Sequence, residues 1–130
     1  MTETSRSLVV EDNSSIRALL AVSLDDAGFQ VQTAANGREA LAVLQRWHPD
    51  VITLDLEMPV MNGWTFSGAL HRASDLADIP VIVVSGVPDL EEQVCMLGAA
   101  ASVSKPYDLD ALPAIVRRVL ERRHREAGIR

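Results

Sequence analysis

The sequence predicts one α/β domain, spanning residues 1–130, built on a five-stranded parallel sheet. Strand-like and helix-like patterns alternate five times along its 130 residues. The run Val51-Ile52-Thr53-Leu54 is nearly all apolar, as a strand covered on both faces should be. Four apolar runs also end on residues suited to phosphate or metal chemistry. These are Leu8-Val9-Val10 into Glu11-Asp12, Val51–Leu54 into Asp55, Val81–Val84 into Ser85, and Ala101–Ser104 into Lys105-Pro106. Strand C-termini of a parallel sheet share one edge, where open α/β sheets bind their ligands.

The elements follow in order. The first strand covers roughly residues 7–11, and Asn13 or Ser14 caps a helix that carries Ile16, Leu19, Leu20, Val22 and Leu24 and ends by Gly28. Phe29 to Ala34 alternates as a second strand. Asn36-Gly37 turns into a helix with Ala40, Leu41, Val43 and Leu44 inward, stopped by Pro49. After the third strand and Asp55 comes the loop Leu56–Gly63, then a helix from about Trp64 to Ala73. Pro80 introduces the fourth strand, Pro88 leads into a helix over Leu90–Leu97, and Gly98 closes it. A short fifth strand precedes the last helix, from Leu109 to about Arg125, with Pro113 in its first turn where proline is tolerated.

Charge is unevenly spread. The net charge is −6, but residues 117–130 hold six arginines against Glu121 and Glu126, a local +4 that leaves −10 on residues 1–116. So acidic a body argues against direct DNA binding, where phosphate neutralisation supplies much of the affinity. The basic run reads as the solvated face of a terminal helix, with a nucleic-acid or partner contact as the other option. No apolar run approaches the roughly 20 residues of a membrane span, and the first seven residues lack the apolar core of a signal peptide. The single cysteine, Cys95, has no internal partner, which suits a reducing cytoplasm. It is expected to pack within the fourth helix. Trp47 and Trp64 read as partly buried packing residues, with Trp64 near the acidic cleft. His48, His71 and His124 lack zinc-ligand spacing.

Glu11, Asp12 and Asp55 make an oxygen set suited to Mg²⁺, which takes one or two carboxylates together with waters and a phosphate oxygen. A carboxylate such as Asp55 can also form an acyl-phosphate. Ser85 and Lys105 can donate to phosphoryl oxygens, and Lys105 is the only lysine beside eleven arginines. Taken singly, each of these is an ordinary turn residue; the signal is their coincidence at four strand ends.

The chain resembles the receiver domains of two-component response regulators, the CheY-like domains. The matching segments are Val9–Asn13, Asp55–Pro59 through Gly63, Val83–Gly86, Gly98-Ala99 and Ser104–Pro106, within a core of about residues 7–124. The resemblance implies a flavodoxin-like (βα)5 fold with strand order 2-1-3-4-5. It implies that Asp55 accepts a phosphoryl group from a sensor histidine kinase or a histidine phosphotransfer protein. Asp12 and Asp55 would bind Mg²⁺ directly, Glu11 through water, and the Glu57 backbone carbonyl would complete the shell. Ser85 and Lys105 would hold the phosphoryl group, with Lys105-Pro106 cis. Output is expected through binding a downstream protein or relaying phosphate.

Two positions depart from that pattern. Ser102 stands where the family usually has an inward-swinging tyrosine or phenylalanine, and Tyr107 lies beyond the Lys-Pro pair. Glu57, two residues after Asp55, reads either as a carboxylate added beside an acyl-phosphate or as an exposed loop residue contributing only its carbonyl. Two other readings remain open at this level. One is a pseudo-receiver that binds partners without phosphate. The other is a small phosphatase resembling the haloacid dehalogenases, against which the acidic pair comes too early, Glu57 replaces an aspartate, and there is no room for a cap.

Overall fold

The computed structural model describes residues 4–105 and 109–128. The strands are β1 (Arg6–Val10), β2 (Gln30–Ala34), β3 (Val51–Leu54), β4 (Val81–Ser85) and β5 (Ala101–Ser104), all parallel, in the order β2-β1-β3-β4-β5. The helices are α1 (Ser14–Asp26), α2 (Gly37–Leu44), α3 (Gly63–Arg72), α4 (Leu90–Leu97) and α5 (Leu112–Gly128), the last preceded by a 3-10 turn at Leu109–Ala111. This is the predicted flavodoxin-like arrangement, with the order reversing between β1 and β3.

Both faces of the sheet are covered, which is why the central strands are apolar on successive residues. Leu8, Val10, Ile52 and Leu54 pack with Ala40 and Val43 of α2 and Phe66 and Leu70 of α3. Val9, Val51, Ile82, Val84 and Val103 meet Leu20 and Leu24 of α1 and Leu112, Val116 and Val119 of α5 on the other face. A smaller cluster of Leu56, Val83 and Leu90 lies under α4.

Local chemistry sets the helix starts. The side chains of Asn13, Asn36 and Asn62 accept from the backbone N–H groups of Ile16, Glu39 and Thr65, so three helices carry asparagine caps. Gly98 closes α4 with a left-handed φ of 67°. Pro113 is the second residue of α5, where no helical N–H is lost.

Several expectations need correction. Phe29 precedes β2: its N–H donates to Leu24 O and its side chain is buried. Helix α2 ends at Leu44, well before Pro49, because Gln45 and Arg46 tighten onto the carbonyls three residues back. Trp47 then packs against the core with the Arg6 guanidinium 5.4 Å from its ring centre. Cys95 is exposed rather than packed, because Leu90, Val94 and Leu97 form the inner stripe of α4 and Cys95 lies off it. Trp64 is 37% exposed at the start of α3. Along α5 the last side chain packed on the core is Leu120, and residues 121–126 are exposed. Arg117 folds back to donate to Ala27 O at 2.8 Å.

Candidate functional site

Strand register alone brings the predicted residues to one edge. Val10 pairs with Leu54, so Glu11 and Asp55 leave adjacent strands side by side. The Asp55 N–H donates to Val10 O and the Glu11 N–H to Ala34 O, each at 3.0 Å, extending the ladder through the two acidic positions. Ser85 pairs with Ser104, and the Lys105 N–H donates to Ser85 O at 3.1 Å. Four chain segments distant in sequence are thereby fixed by backbone bonds.

Three carboxylate oxygens, one each from Glu11, Asp12 and Asp55, lie within 4.8 Å of one another. Glu11 and Asp55 are buried and Asp12 is exposed at the mouth. The Lys105 ammonium reaches Glu11 Oε1 at 2.7 Å and Asp55 Oδ2 at 3.3 Å. The Glu57 N–H donates to Asp55 Oδ1 at 3.3 Å, while the Glu57 side chain is exposed. The Ser85 hydroxyl is fully buried and has no hydrogen-bond partner among the described residues. Of the predicted site residues, Glu11, Asp12, Asp55 and Lys105 are brought together by their side chains, Ser85 stands at the end of β4 on the same sheet edge, and Glu57 meets Asp55 through its N–H. Pro106 and Tyr107, with the expected cis peptide, lie outside the described residues.

Electrostatics follow from crowding. Burial first, then the Glu11 charge, push the Asp55 carboxyl from 3.8 up to about 7; Asp12 adds to this and Lys105 opposes it. Burial disfavours the Lys105 ammonium, but Glu11 and Asp55 outweigh that and hold it above its ordinary 10.5. Among the described residues three carboxylates face one ammonium, and this excess of hard oxygen donors fits a divalent cation such as Mg²⁺.

Two supports were not read from sequence. Arg17 Nη1 donates to the carbonyls of Glu11 at 2.9 Å and Asp12 at 3.3 Å, tying the first turn of α1 to the acidic pair. An arginine six residues after Glu11 was the available signal. Gly63 donates to Leu56 O at 2.9 Å and packs so closely that a Cβ there would clash with Asp55 O and lie 2.7 Å from Leu56 Cα. The start of α3 thus rests on the main chain of Asp55. Ser102 is half-buried on β5 beside Val83.

Fold and site together define a flavodoxin-like α/β domain with an acidic, cation-suited pocket at the C-terminal edge of its sheet. The family model for the response regulator receiver domain matches residues 7–117, and the chain belongs to that family. It is 36% identical over 117 residues to the probable transcriptional regulator ycf27 of Porphyridium aerugineum, covering 88% of this chain and 48% of that protein. It is 32% identical over 122 residues to the DNA-binding dual master transcriptional regulator RpaA of Synechocystis, covering 92% and 51%. The chain thus spans about half the length of these relatives. Among solved structures, the chemotaxis response regulator CheY4 of Vibrio cholerae superposes with a TM-score of 0.81 at 35% identity, covering 90% of this chain and 99% of that one. A CheY-like receiver domain protein from Methanospirillum hungatei gives 0.85 at 25% identity, covering 95% and 99%.

Proposed function

We propose that Asp55 is the phosphoacceptor of a two-component relay. The observation that carries this is the arrangement around it: a buried carboxylate, an ammonium at 3.3 Å and, on the neighbouring strand, a buried hydroxyl with no partner among the described residues. An Asp55 carboxylate oxygen attacks the phosphorus of a phosphohistidine, the P–N bond breaks, and its electron pair returns to the imidazole. Lys105 and the Ser85 hydroxyl then donate to the transferred phosphoryl oxygens. The acidic set of Glu11, Asp12 and Asp55, with the Glu57 carbonyl, would hold Mg²⁺, whose charge lowers the repulsion between carboxylate and phosphoryl group.

The phosphoryl donor on this reading is a sensor histidine kinase or a histidine phosphotransfer protein, and the site is used in the cytoplasm. Output passes to a downstream protein. The acidic body of the domain supports a protein partner over DNA for this chain. Among the described residues, no helix is long and apolar enough to cross a membrane.

Acetyl phosphate with Mg²⁺, followed by intact mass, tests the proposal. One phosphate adduct is expected on the wild type and none on Asp55→Asn. Absence of an adduct on the wild type would favour a phosphate-independent interaction module, and turnover of a phosphate ester would favour a phosphatase.

A further inference from the structure

On the phosphoacceptor reading of Asp55, Ser102 offers no aromatic ring to carry a signal from the sheet edge to α4. Helix α4 is lightly held: of its eight residues only Leu90 is buried. The side chain of its capping residue, Asp89, makes no cap hydrogen bond to the helix backbone. Instead Asp89 Oδ2 accepts from Gln93 Nε2 at 2.9 Å, and Gln93 Oε1 accepts from the Trp64 indole N–H at 2.7 Å. Trp64 is the second residue of α3, directly after Gly63.

Both ends of this short chain of contacts lead back to the site. At one end Gly63 is pressed against the main chain of Asp55. At the other, Asp89 lies four residues after Ser85, on the segment that joins the buried Ser85 hydroxyl at the end of β4 to the start of α4. We propose that Trp64 and Gln93 are positioning residues forming a latch between α3 and α4, closed when Asp55 is bare and opened when it carries a phosphoryl group. This rests on the phosphoacceptor reading of Asp55. Movement of Ser85 toward a phosphoryl oxygen draws the Gly86–Asp89 segment with it. Asp89 then ceases to brace Gln93, and the indole loses its acceptor.

The latch is tested in a Trp47→Phe background, where Trp64 supplies the single indole N–H signal. Loading with Mg²⁺ and beryllofluoride, a phosphoryl mimic, is expected to shift that signal and move the Trp64 emission to the red. Gln93→Ala should show the shifted signal before loading and change little on loading. Because coupling is reciprocal, Gln93→Ala and Trp64→Phe should each bind beryllofluoride more tightly, by roughly two- to tenfold, the range set by one net hydrogen bond. Their double variant should gain no more than either single one. An indole signal unmoved in protein that is fully loaded, or unchanged affinity in both variants, overturns the latch. If intact mass finds no acetyl-phosphate adduct on Asp55, the phosphoacceptor reading falls instead, and the two failures are distinguishable.

Discussion

Lys105 Nζ lies nearer to Glu11 Oε1, at 2.7 Å, than to Asp55 Oδ2, at 3.3 Å. The sole lysine is therefore first the counter-charge of a buried glutamate and only second that of the proposed phosphoacceptor. Removing one member of such a pair strands the other. Lys105→Met is expected to cost about 3 kcal/mol at alkaline pH, and Glu11→Gln added to it should restore most of the loss. Urea unfolding with chelator present measures both; a double variant as unstable as the single one would refute the pairing.

The raised Asp55 carboxyl makes a prediction about pH. Unfolded, the group loses its proton near 3.8; folded, it keeps it up to about 7. The folded state therefore binds more protons between those values, and this group's contribution to stability falls as pH rises through them. Asp55→Asn removes that loss. Relative to wild type it should gain up to about 1.4 kcal/mol per pH unit across the window, with little difference at the acidic end. Parallel stability curves for the two proteins across the window would count against it.

A cation competes with the same proton. The thermal stabilisation conferred by Mg²⁺ should grow with pH up to about 7 and then level off. A gain independent of pH would mean that the ion sits elsewhere.

Val60 gives a prediction away from the charges. Its φ is 68°, and the Met61 N–H donates to Pro59 O at 2.7 Å, the bond pattern of a γ-turn. A β-branched residue is strained in that region, and Val60 is 72% exposed, so its side chain contributes little packing in return. Val60→Gly should stabilise the protein by about 1 kcal/mol, the relief of strain exceeding the entropy that glycine adds to the unfolded chain. A lower unfolding midpoint for the variant would show that the turn depends on valine.

Most of the architecture was legible because its signals are local. Apolar runs marked the strands, Asn13 or Ser14 marked the start of α1, and the Asn36-Gly37 turn marked that of α2. The convergence of Glu11, Asp55, Ser85 and Lys105 was legible for a topological reason, since parallel strands deliver their C-termini to one edge. What escaped depends on how the last turn of a helix closes or on contacts between distant side chains. Pro49 marks the furthest point α2 could reach, whereas the helix ends at the tightened turn after Leu44. Nothing near Trp64 names Gln93, which lies 29 residues away. The exposure of Cys95 could have been read, since Leu90, Val94 and Leu97 already define a stripe that omits it.

Leu90 is the one fully buried residue of α4, with Val94 and Leu97 only partly covered, and that distributes stability unevenly through the fold. Local opening free energies track buried apolar contact, so α4 should be among the first helices to exchange its amide protons, through sub-global opening rather than whole-chain unfolding. The α1–α5 side of the sheet, held by Leu20, Leu24, Leu112 and Val116, should exchange near the global limit. The domain then consists of a durable slab and one helix whose docking is cheap to reverse. A modest change at the sheet edge can alter such a helix without endangering the rest.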